Sequence, residues 1–380
     1  MNGSTSPGST ASPSSTAVAP VSPLAELTTM GVGGRPREMY RAGTEQEIVE
    51  AVADIDSRGV PLLVLGGGSN LVVADEGFEG AVLQVASEGV QVESDDACGG
   101  VVVVAAAGEP WDDLVARAVA ESWSGIEALS GIPGSTGATP VQNVGAYGQE
   151  VSQTIWNVRV YDRAEQRVRT LANADCGFSY RHSVFKASLS RSADPSPRYV
   201  VLSVSFQLRP TDQSAPIRYA DLARGLEVSP GDRVPLAQAR DGVLTQRTRR
   251  GMVLDRSDHD TWSCGSFFTN PVLDPGQVAE LRERSAASLG PQGPRPPEFS
   301  GGQDLTKTSA AWLIEQAGFG RGFGLPGPAS LSTKHTLAIT NRGSARASDI
   351  TALARQVRDG VADRFGVTLV NEPVLVGVSL

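Results

Sequence analysis

Two glycine-rich stretches are the first candidates for chemistry, because they would present backbone amides instead of side chains. Residues 131–149, GIPGSTGATPVQNVGAYGQ, contain five glycines, two prolines and no charged side chain. Residues 65–70, LGGGSN, lie between two apolar runs. Clustered glycines indicate close backbone approach or positive φ angles. The amides of LGGGSN could hold a diphosphate, and the longer stretch suits a flat, uncharged ring system.

Both stretches also have plainer interpretations. LGGGSN could form an ordinary tight hairpin, and the longer stretch could be a structural Ω-loop. LGGGSN is not followed by G-K-[ST], and it does not open a helix as G-x-G-x-x-G does, so a P-loop and a Rossmann site are disfavoured. Two such loops in one chain favour a large nucleotide cofactor.

Four polar side chains lie in motifs that suit an anionic substrate. Arg181 in FSYRHSVFK could clamp a carboxylate, because a guanidinium is planar and always charged. Ser266 and Asn270 belong to GSFFTN, and Glu372 lies in an apolar terminal segment where burial would raise its pKa. Each has a plainer alternative: Arg181 could form a surface ion pair, the GSFFTN motif could serve packing, and Glu372 could be an exposed edge residue.

Other chemistries find little support. The cysteines are Cys98, Cys176 and Cys264, and the histidines are His182, His259 and His335. Neither set has the spacing of a disulfide framework or a metal motif, so we expect no metal and reduced thiols in the cytoplasm. No G-x-S-x-G elbow supports a serine hydrolase. The net charge of −9 disfavours nucleic acid, and we expect no membrane span.

The surrounding pattern is α+β. Helices are predicted over 44–55, 111–122, 309–318 and 348–366, the last with Ser348 as N-cap, and in an arginine-rich segment after 226. Strands are predicted on both sides of LGGGSN within 61–73 and over 80–85, 100–108, 154–162, 198–208 and 367–377. A turn-rich loop is predicted over 187–197. The tail lacks any Lys or Arg before Arg35 and should be disordered over 1–22.

Six segments, in this order, resemble the UDP-N-acetylenolpyruvoylglucosamine reductase (MurB) family: LGGGSNLVVADEGFEG, GIPGSTGATPVQNVGAYGQE, FSYRHSVFK, GSFFTNPV, AAWLIEQAGF and LVNEPVLVG. The resemblance covers most of residues 28–378. It implies an α+β fold with an FAD-binding domain of the vanillyl-alcohol-oxidase (PCMH-like) type in two subdomains and a C-terminal α+β substrate-binding domain. The implied divisions are a tail (1–22), FAD-binding subdomains (23–89 and 90–225), a UDP-sugar domain (226–367) and a terminal strand carrying the catalytic glutamate (368–380).

The resemblance also implies a reaction. NADPH would reduce non-covalently bound FAD, and hydride from flavin N5 would then reduce UDP-N-acetylglucosamine enolpyruvate to UDP-N-acetylmuramate, a step of peptidoglycan precursor synthesis. Arg181 and Glu372 match the family residues that stabilise charge building at the substrate carboxylate. Ser266 matches the serine that donates a proton to the other carbon. These three are the predicted catalytic residues.

The implied binding residues fall into two sets. The FAD set is Leu65, Gly66, Gly67, Gly68, Ser69, Asn70, Gly131, Pro133, Gly134, Ser135, Gly137, Ala138, Gln142, Asn143, Gly145, Ala146, Tyr147 and Gly148. The substrate set is Tyr180, Tyr219, Arg250, Asn270 and Arg321. Tyr219 lies in IRYADL, which resembles a loop of the longer family type. Arg250 and Arg321 stand where the family tends to have lysine, and arginine binds phosphate as a rigid fork.

The expected partners are therefore UDP-N-acetylglucosamine enolpyruvate and NADPH, with neither nucleic acid nor membrane, and the chain is expected to act as a monomer. Two alternatives stay open: another FAD-dependent oxidoreductase on the same cofactor fold, and a non-catalytic nucleotide-sugar sensor. The first would have no need of Ser266, Arg181 and Glu372 together, and the second would be expected to lose them.

Overall fold

The structure, a computed structural model, describes residues 18–96, 100–189, 195, 197–302 and 304–380. Three predictions fall partly or wholly outside these residues: the disordered tail over 1–17, Cys98, and the loop over 190–194 and 196.

The helices are α1 (Glu45–Ser57), α2 (Trp111–Ala120), α3 (Val184–Ala187), α4 (Ala220–Gly225), α5 (Leu236–Arg249), α6 (Pro275–Leu289), α7 (Ala310–Gln316) and α8 (Ala347–Phe365). The strands are β1 (Pro36–Ala42), β2 (Leu62–Leu65), β3 (Leu71–Val73), β4 (Phe78–Val85), β5 (Val90–Asp96), β6 (Gly100–Ala106), β7 (Trp123–Ser124), β8 (Gly145–Ala146), β9 (Gln149–Glu150), β10 (Ile155–Asp162), β11 (Arg167–Ala172), β12 (Tyr199–Pro210), β13 (Val272–Leu273), β14 (Glu298–Gly302), β15 (Leu305–Thr308), β16 (Ala329–Leu331), β17 (Ile339–Asn341) and β18 (Val374–Val376). Apart from the boundaries discussed below, the predicted helices and strands are confirmed.

The N-terminal half contains two sheets. A small parallel sheet has the order β1-β4-β2, and a larger antiparallel sheet has the order β11-β10-β12-β6-β5. Helix α1 begins at a capping box, in which the Thr44 hydroxyl accepts from the Glu47 N–H and the Glu47 carboxylate accepts from the Thr44 N–H. The apolar stripes of α1 and α2 pack with both sheets in one core.

The C-terminal half is built around α8. Its buried stripe, including Ile350, Val357 and Phe365, packs with α6, α7, β16 and β17. Met30 and Val72 lie in the same core. The N-terminal half therefore contributes apolar side chains to the C-terminal core. The predicted boundary near residue 225 falls inside another apolar cluster, in which Ala128 packs with side chains between Ile217 and Val243.

The last strand differs from the prediction. A strand was expected over 367–377, but β18 covers only Val374–Val376 and pairs in parallel with β3. Before it, Asn371 forms an isolated bridge with Phe268. The chain pairs with one partner before Pro373 and with another after it, and Pro373 itself has no N–H to donate, so the strand is interrupted there. Glu372 lies at this change of partner, beside the start of β3.

Other boundaries shift for local reasons. The helix predicted after 226 begins only at Leu236, because Pro230, Gly231 and Pro235 interrupt the preceding chain. Helix α8 begins at Ala347, so Ser348 is not its N-cap. Asp75 from the N-terminal half caps it instead, accepting from the Ala347 N–H at 2.7 Å.

The tail prediction is wrong for its last five residues. Val18 forms an antiparallel bridge with Tyr40, and the Ala19 N–H donates to the Met39 carbonyl at 2.9 Å. Residues 18–22 therefore lie against β1, because an extended segment can pair with the free edge of that strand.

Candidate active site

The two glycine-rich loops meet at van der Waals distance. A Cβ atom added to Gly67 would lie 2.6 Å from the Gly134 Cα atom, and one added to Gly134 would lie 2.7 Å from the Ser69 Oγ atom. One added to Gly66 would lie 2.3 Å from the Ser135 Oγ atom. Only glycine allows this approach, so the loops form one cradle made largely of backbone.

A cavity of about 420 Å³ lies along this cradle. Most predicted site residues line it: Gly66, Gly67, Gly68, Ser69, Asn70, Pro133, Gly134, Ser135, Gly137, Ala138, Gln142, Gly145, Ala146, Tyr147, Arg181, Tyr219, Arg250, Ser266 and Glu372. The structure thus brings the predicted cofactor loops and the three predicted catalytic side chains to one cavity.

Backbone pairing positions Ser266 and Glu372. The Glu372 N–H donates to the Phe267 carbonyl at 2.8 Å, next in the chain to Ser266. The Asn70 side-chain amide donates to the Glu372 carbonyl at 3.4 Å, and the Val374 N–H donates to the Asn70 carbonyl at 3.0 Å. The serine segment, the terminal segment and the first glycine loop are therefore held together at this point.

Arg181 reaches the same place from a tight turn. Ser179 and His182 exchange two backbone hydrogen bonds, each of 3.1 Å, so Tyr180 and Arg181 form the tip. Arg181 has φ of 53°, a left-handed conformation that costs energy in a residue other than glycine. Its Nε atom lies 2.8 Å from Glu372 Oε1. The turn places the guanidinium against the carboxylate despite the strain.

The ion pair is mostly buried, with 22% of the Arg181 side chain and 16% of the Glu372 side chain exposed. Burial raises the pKa of Glu372, although the positive charges of Arg181 and Lys186 oppose this shift. Burial lowers the pKa of Lys186, because it disfavours the charged ammonium group. Both groups are therefore closer to their neutral forms than they would be in water.

Gln142 presents a donor to the cavity. Its Oε1 atom accepts from Lys186 Nζ at 2.9 Å, which fixes the orientation of the amide. Its Nε2 atom is buried, and no described residue accepts a hydrogen bond from it. A buried amide without a partner is costly, so this donor fits an acceptor atom on a bound ring.

One region of the cavity lining, called here the cationic end, includes Arg247, Arg250 and His335. Arg250 pairs with Asp221 at 2.8 Å, and the rings of Tyr147 and Tyr219 contact edge to face, 5.7 Å between centroids. Arg247 has a buried Nε atom without a described acceptor, and desolvation lowers its pKa to about 10. His335 also lines this end. Such a cluster suits phosphate groups.

Several predicted residues do not line the cavity. Leu65 is buried in a small core cluster, and Gly131 donates to Asp112 at 2.6 Å. The Asn143 side chain donates to Glu150 and to the Ser179 carbonyl, so it joins two loops. Gly148 lines a second cavity, of about 260 Å³. Arg321 is exposed.

Tyr180 and Asn270 lie together beside the cavity. The Asn270 N–H donates to the Tyr180 hydroxyl at 3.3 Å, while the Asn270 side-chain oxygen accepts from the Ala310 N–H at 3.0 Å. Asn270 therefore caps the start of α7, and in this structure its amide oxygen is occupied by the backbone.

Sequence reasoning missed Lys186, Arg247 and His335. Lys186 is the last residue of the FSYRHSVFK motif, and nothing in the sequence indicates its hydrogen bond to Gln142. Arg247 lies in an arginine-rich helix, and no local pattern separates it from Arg240 or Arg249. Nothing in the local pattern around His335 distinguishes it from a surface histidine.

Residues 36–171 match the family described as FAD binding domain. Together with the backbone cradle, this match defines an FAD-binding oxidoreductase fold. Residues 256–376 match the UDP-N-acetylenolpyruvoylglucosamine reductase, C-terminal domain. The chain is 55% identical over 359 residues to the UDP-N-acetylenolpyruvoylglucosamine reductase of Thermobifida fusca, with 94% of this chain and 98% of that protein covered.

A second relative, the protein of the same name from Streptomyces coelicolor, is also 55% identical, with 94% and 90% covered. The crystal structure of the Thermus caldophilus UDP-N-acetylenolpyruvylglucosamine reductase superimposes with a TM-score of 0.61 at 25% identity, covering 94% of this chain and 98% of that one. The chain belongs to the UDP-N-acetylenolpyruvoylglucosamine reductase family. The predicted family, fold class and FAD cofactor are confirmed.

The residues present fit FAD. The cradle is free of side-chain bulk where the two loops meet, and Gln142 offers a buried donor without a partner. In the described part of the chain, no group of His, Cys, Asp and Glu is arranged to hold a metal ion. Within the same residues, no helix has the length and apolar character needed to cross a bilayer.

Proposed function

We propose that this protein reduces UDP-N-acetylglucosamine enolpyruvate to UDP-N-acetylmuramate, with FAD as resident cofactor and NADPH as electron source. The observation that carries the proposal is the Arg181–Glu372 pair, 2.8 Å apart, in the cavity that Ser266 and both glycine loops line. FAD held by the two loops would pass a hydride to the unsaturated carbon of the substrate. The protein's own side chains must then stabilise the charge that develops on the substrate and provide a proton.

Arg181 and Glu372 would bind the substrate carboxylate, where that charge accumulates. Arg181 also donates to the Asn143 and Gly145 carbonyls, at 3.3 Å and 3.2 Å, so the orientation of its guanidinium group is fixed before substrate binds. Burial raises the pKa of Glu372, although Arg181 and Lys186 oppose the shift, and this favours the protonated carboxyl that would donate a hydrogen bond to the same oxygens. A preorganised cation and donor stabilise the developing anion without reorganisation.

Ser266 would donate the proton to the neighbouring carbon. Gly265, with φ of 72° and open space at its Cβ position, turns the chain so that Ser266 lines the cavity. The nearby Cys264 is a poor candidate, because its thiol is buried and already donates to the Leu71 carbonyl. A hydroxyl serves as an acid here only because the carbon accepting the proton is strongly basic.

The cationic end would bind the UDP moiety. Arg250 and Tyr219 line this end, and we include Tyr180, Asn270 and Arg321 in the substrate set as predicted. Arg250 must exchange its pairing with Asp221 for a phosphate, which a guanidinium can do at low cost when half-exposed. The FAD set predicted from sequence is likewise proposed as a whole.

We further propose that the protein acts as a monomer in the cytoplasm. Three separate segments of one chain supply Arg181, Ser266 and Glu372 to one cavity, so no partner subunit is needed to complete it. The domain limits at 23–89, 90–225, 226–367 and 368–380 belong to the same proposal.

The test separates the two half-reactions of the FAD-loaded enzyme by stopped-flow absorbance. We expect Ser266→Ala to keep the rate of flavin reduction by NADPH and to slow flavin reoxidation by UDP-N-acetylglucosamine enolpyruvate by at least about 100-fold. Ser300→Ala, at an exposed serine of β14, is the control and should leave both rates unchanged. Equal slowing of both half-reactions would exclude Ser266 as proton donor, and a wild-type enzyme that this substrate fails to reoxidise would refute the proposed function.

A further inference from the structure

Glu127, which precedes the long glycine loop, is a buried carboxylate with three hydrogen-bond donors. Only 2% of the residue is exposed. It accepts from the Gly125 N–H at 2.7 Å, the Ala215 N–H at 2.6 Å and Gln149 Nε2 at 3.0 Å. All three partners are donors, so they suit a group that only accepts. Two of them belong to different segments that carry tyrosines of the cavity.

The first of these segments is the hairpin of β8 and β9. Its two-residue turn, Tyr147 and Gly148, has φ of 48° and 87°, as in the tight turns that favour glycine and asparagine. Gln149 follows the turn, and its Oε1 atom accepts from the Ala128 N–H at 2.8 Å. Its Nε2 atom therefore faces Glu127. The bond between Gln149 and Glu127 fixes the hairpin whose tip carries Tyr147.

The second segment comprises residues 213–235 and is called here the Tyr219 segment. Its two arms are joined by bonds of 2.8 Å from the Ser214 N–H to the Val234 carbonyl and from the Ile217 N–H to the Asp232 carbonyl. Ala215 lies in the first arm and donates to Glu127. Tyr219 follows four positions later and immediately precedes α4. Glu127 thus ties this arm to the N-terminal half.

The Tyr219 segment lies over open space. The second cavity, of about 260 Å³, is lined by Glu127, Gly148, Ile217 and Leu222, and it lies behind Tyr147. Ile217 and Leu222 pack with Ala128 in an apolar cluster, but the cavity beside them leaves that packing incomplete. The hydrogen bond from Ala215 to a buried carboxylate, a strong type of bond, holds the arm in place.

We propose that Glu127 is a positioning residue for substrate binding, because it holds Tyr219 at the UDP end of the cavity, in edge-to-face contact with Tyr147 of the second glycine-rich loop. This inference rests on the proposed function for the identity of the substrate. Glu127 touches neither substrate nor cofactor in this account. Its effect reaches the cavity through Gln149 on one side and Ala215 on the other.

The main test is Glu127→Gln in the full-length, FAD-loaded enzyme. The Ala215 N–H and Gln149 Nε2 both donate to Oε1, and the Gly125 N–H donates to Oε2. A glutamine therefore sets its NH2 group either against the Gly125 N–H or against both tyrosine-segment donors, and its uncharged oxygen weakens every bond that remains. We expect the Michaelis constant for UDP-N-acetylglucosamine enolpyruvate to rise about tenfold, while turnover and the rate of flavin reduction by NADPH change by less than about twofold. A matched control is Glu109→Gln, whose carboxylate accepts from the Gly89 N–H at 2.8 Å and which lines neither cavity. It should leave the Michaelis constant unchanged.

A double-mutant cycle with Tyr219→Ala tests whether Glu127 affects substrate binding through the position of Tyr219. If Glu127 acts by placing the tyrosine, then Glu127→Gln in the Tyr219→Ala background should raise the Michaelis constant by less than about twofold. A full tenfold rise in that background, or a loss of turnover and FAD with no change in the Michaelis constant, would overturn the inference.

Limited proteolysis gives a readout that is independent of activity. Arg218 and Arg224 of the Tyr219 segment are exposed, so trypsin cleavage after them reports opening of that segment. We expect cleavage at least about threefold faster in Glu127→Gln than in wild type or Glu109→Gln. Unchanged cleavage in a folded Glu127→Gln variant would contradict the inference.

A second variant, Gln149→Met, covers the case in which Glu127→Gln does not fold. It keeps the length of the side chain and the bond from Ala215, but it removes the link to the Tyr147 hairpin. We expect a smaller rise in the Michaelis constant, and no rise would count against the inference. Wild-type enzyme that does not turn over this substrate refutes the proposed function, whereas active wild type with an unaffected Glu127→Gln refutes only the role of Glu127.

Discussion

The two ends of the cavity are built by different means. At the cofactor end, Gly67 and Gly134 bring two loops into backbone contact, and one side chain, Gln142, offers a buried free donor. At the substrate end, side chains from distant segments converge, among them Arg247 and His335. A backbone cradle depends on the absence of side chains, whereas a convergent cluster depends on the presence of each one.

This difference predicts how the two ends respond to substitution. A methyl group added at Gly67 meets main-chain atoms of Gly134 that cannot rotate away, so the damage there is concentrated and severe. In the cluster, several cations share one task, so the loss of one is partly compensated by the others.

The largest effect is expected for Gly67→Val. Its Cβ atom would lie 2.6 Å from the Gly134 Cα atom, so the two loops must separate. We expect the dissociation constant for FAD to rise by at least about 100-fold and the purified protein to lose its yellow colour. The measurements are the flavin absorbance per chain and a titration of the apoprotein with FAD.

Gly43→Ala is the control for the cradle, because its Cβ atom would meet only the Glu47 side chain, at an ordinary 3.6 Å. It should bind FAD as wild type does. Full flavin content in Gly67→Val would mean that the loops are not held together as described, and the contrast between the two ends would fail.

The same contrast explains what the sequence could predict. The glycine-rich loops are visible in composition, and the helices and strands around them follow from apolar periodicity. The roles of Arg181, Ser266 and Glu372 came from the family resemblance, because no local pattern links them. Their meeting depends on β18 pairing with β3, across some three hundred residues, a contact that no periodicity encodes.

The same limit applies to the residues that sequence reasoning missed. Lys186 and His335 become site residues only through tertiary contacts. Asn143 belongs to the FAD set that the resemblance implies, and its side chain bonds Glu150 and the Ser179 carbonyl, which holds the loop. A polar residue in a glycine-rich loop therefore either faces the ligand or holds the loop, and the sequence alone does not distinguish these roles.

An intermediate effect is expected for Arg321→Ala at the cationic end. Arg321 is exposed and does not line the cavity, so its contribution to phosphate binding is long-range and partly screened. We expect the Michaelis constant for the UDP-sugar to rise about threefold, with a smaller change in turnover. Arg295→Ala, at another exposed arginine of the C-terminal half, should change neither constant. A loss of turnover without a change in the Michaelis constant would argue against a binding role.

The smallest effect concerns His335 and pH. Burial, with the positive charges of Arg250 and Arg321, lowers the pKa of His335 from 6.5 to about 4. Between these two values the unfolded chain binds a proton that the folded chain does not. The contribution of His335 therefore lowers the free energy of unfolding as pH falls from about 6.5 to about 4, and below that the loss is complete.

We accordingly expect His335→Gln to lose less thermal stability than wild type when the pH is changed from 7.5 to 5, by a few degrees in melting temperature. Arg321→Ala should give a partial version of this result, because one of the two charges that oppose protonation of His335 is gone. If both variants lose as much stability as wild type over this range, His335 is not kept neutral by the cationic end. The side chains of the cationic end would then not influence one another's charge, and this end would differ from the cofactor end only in its composition.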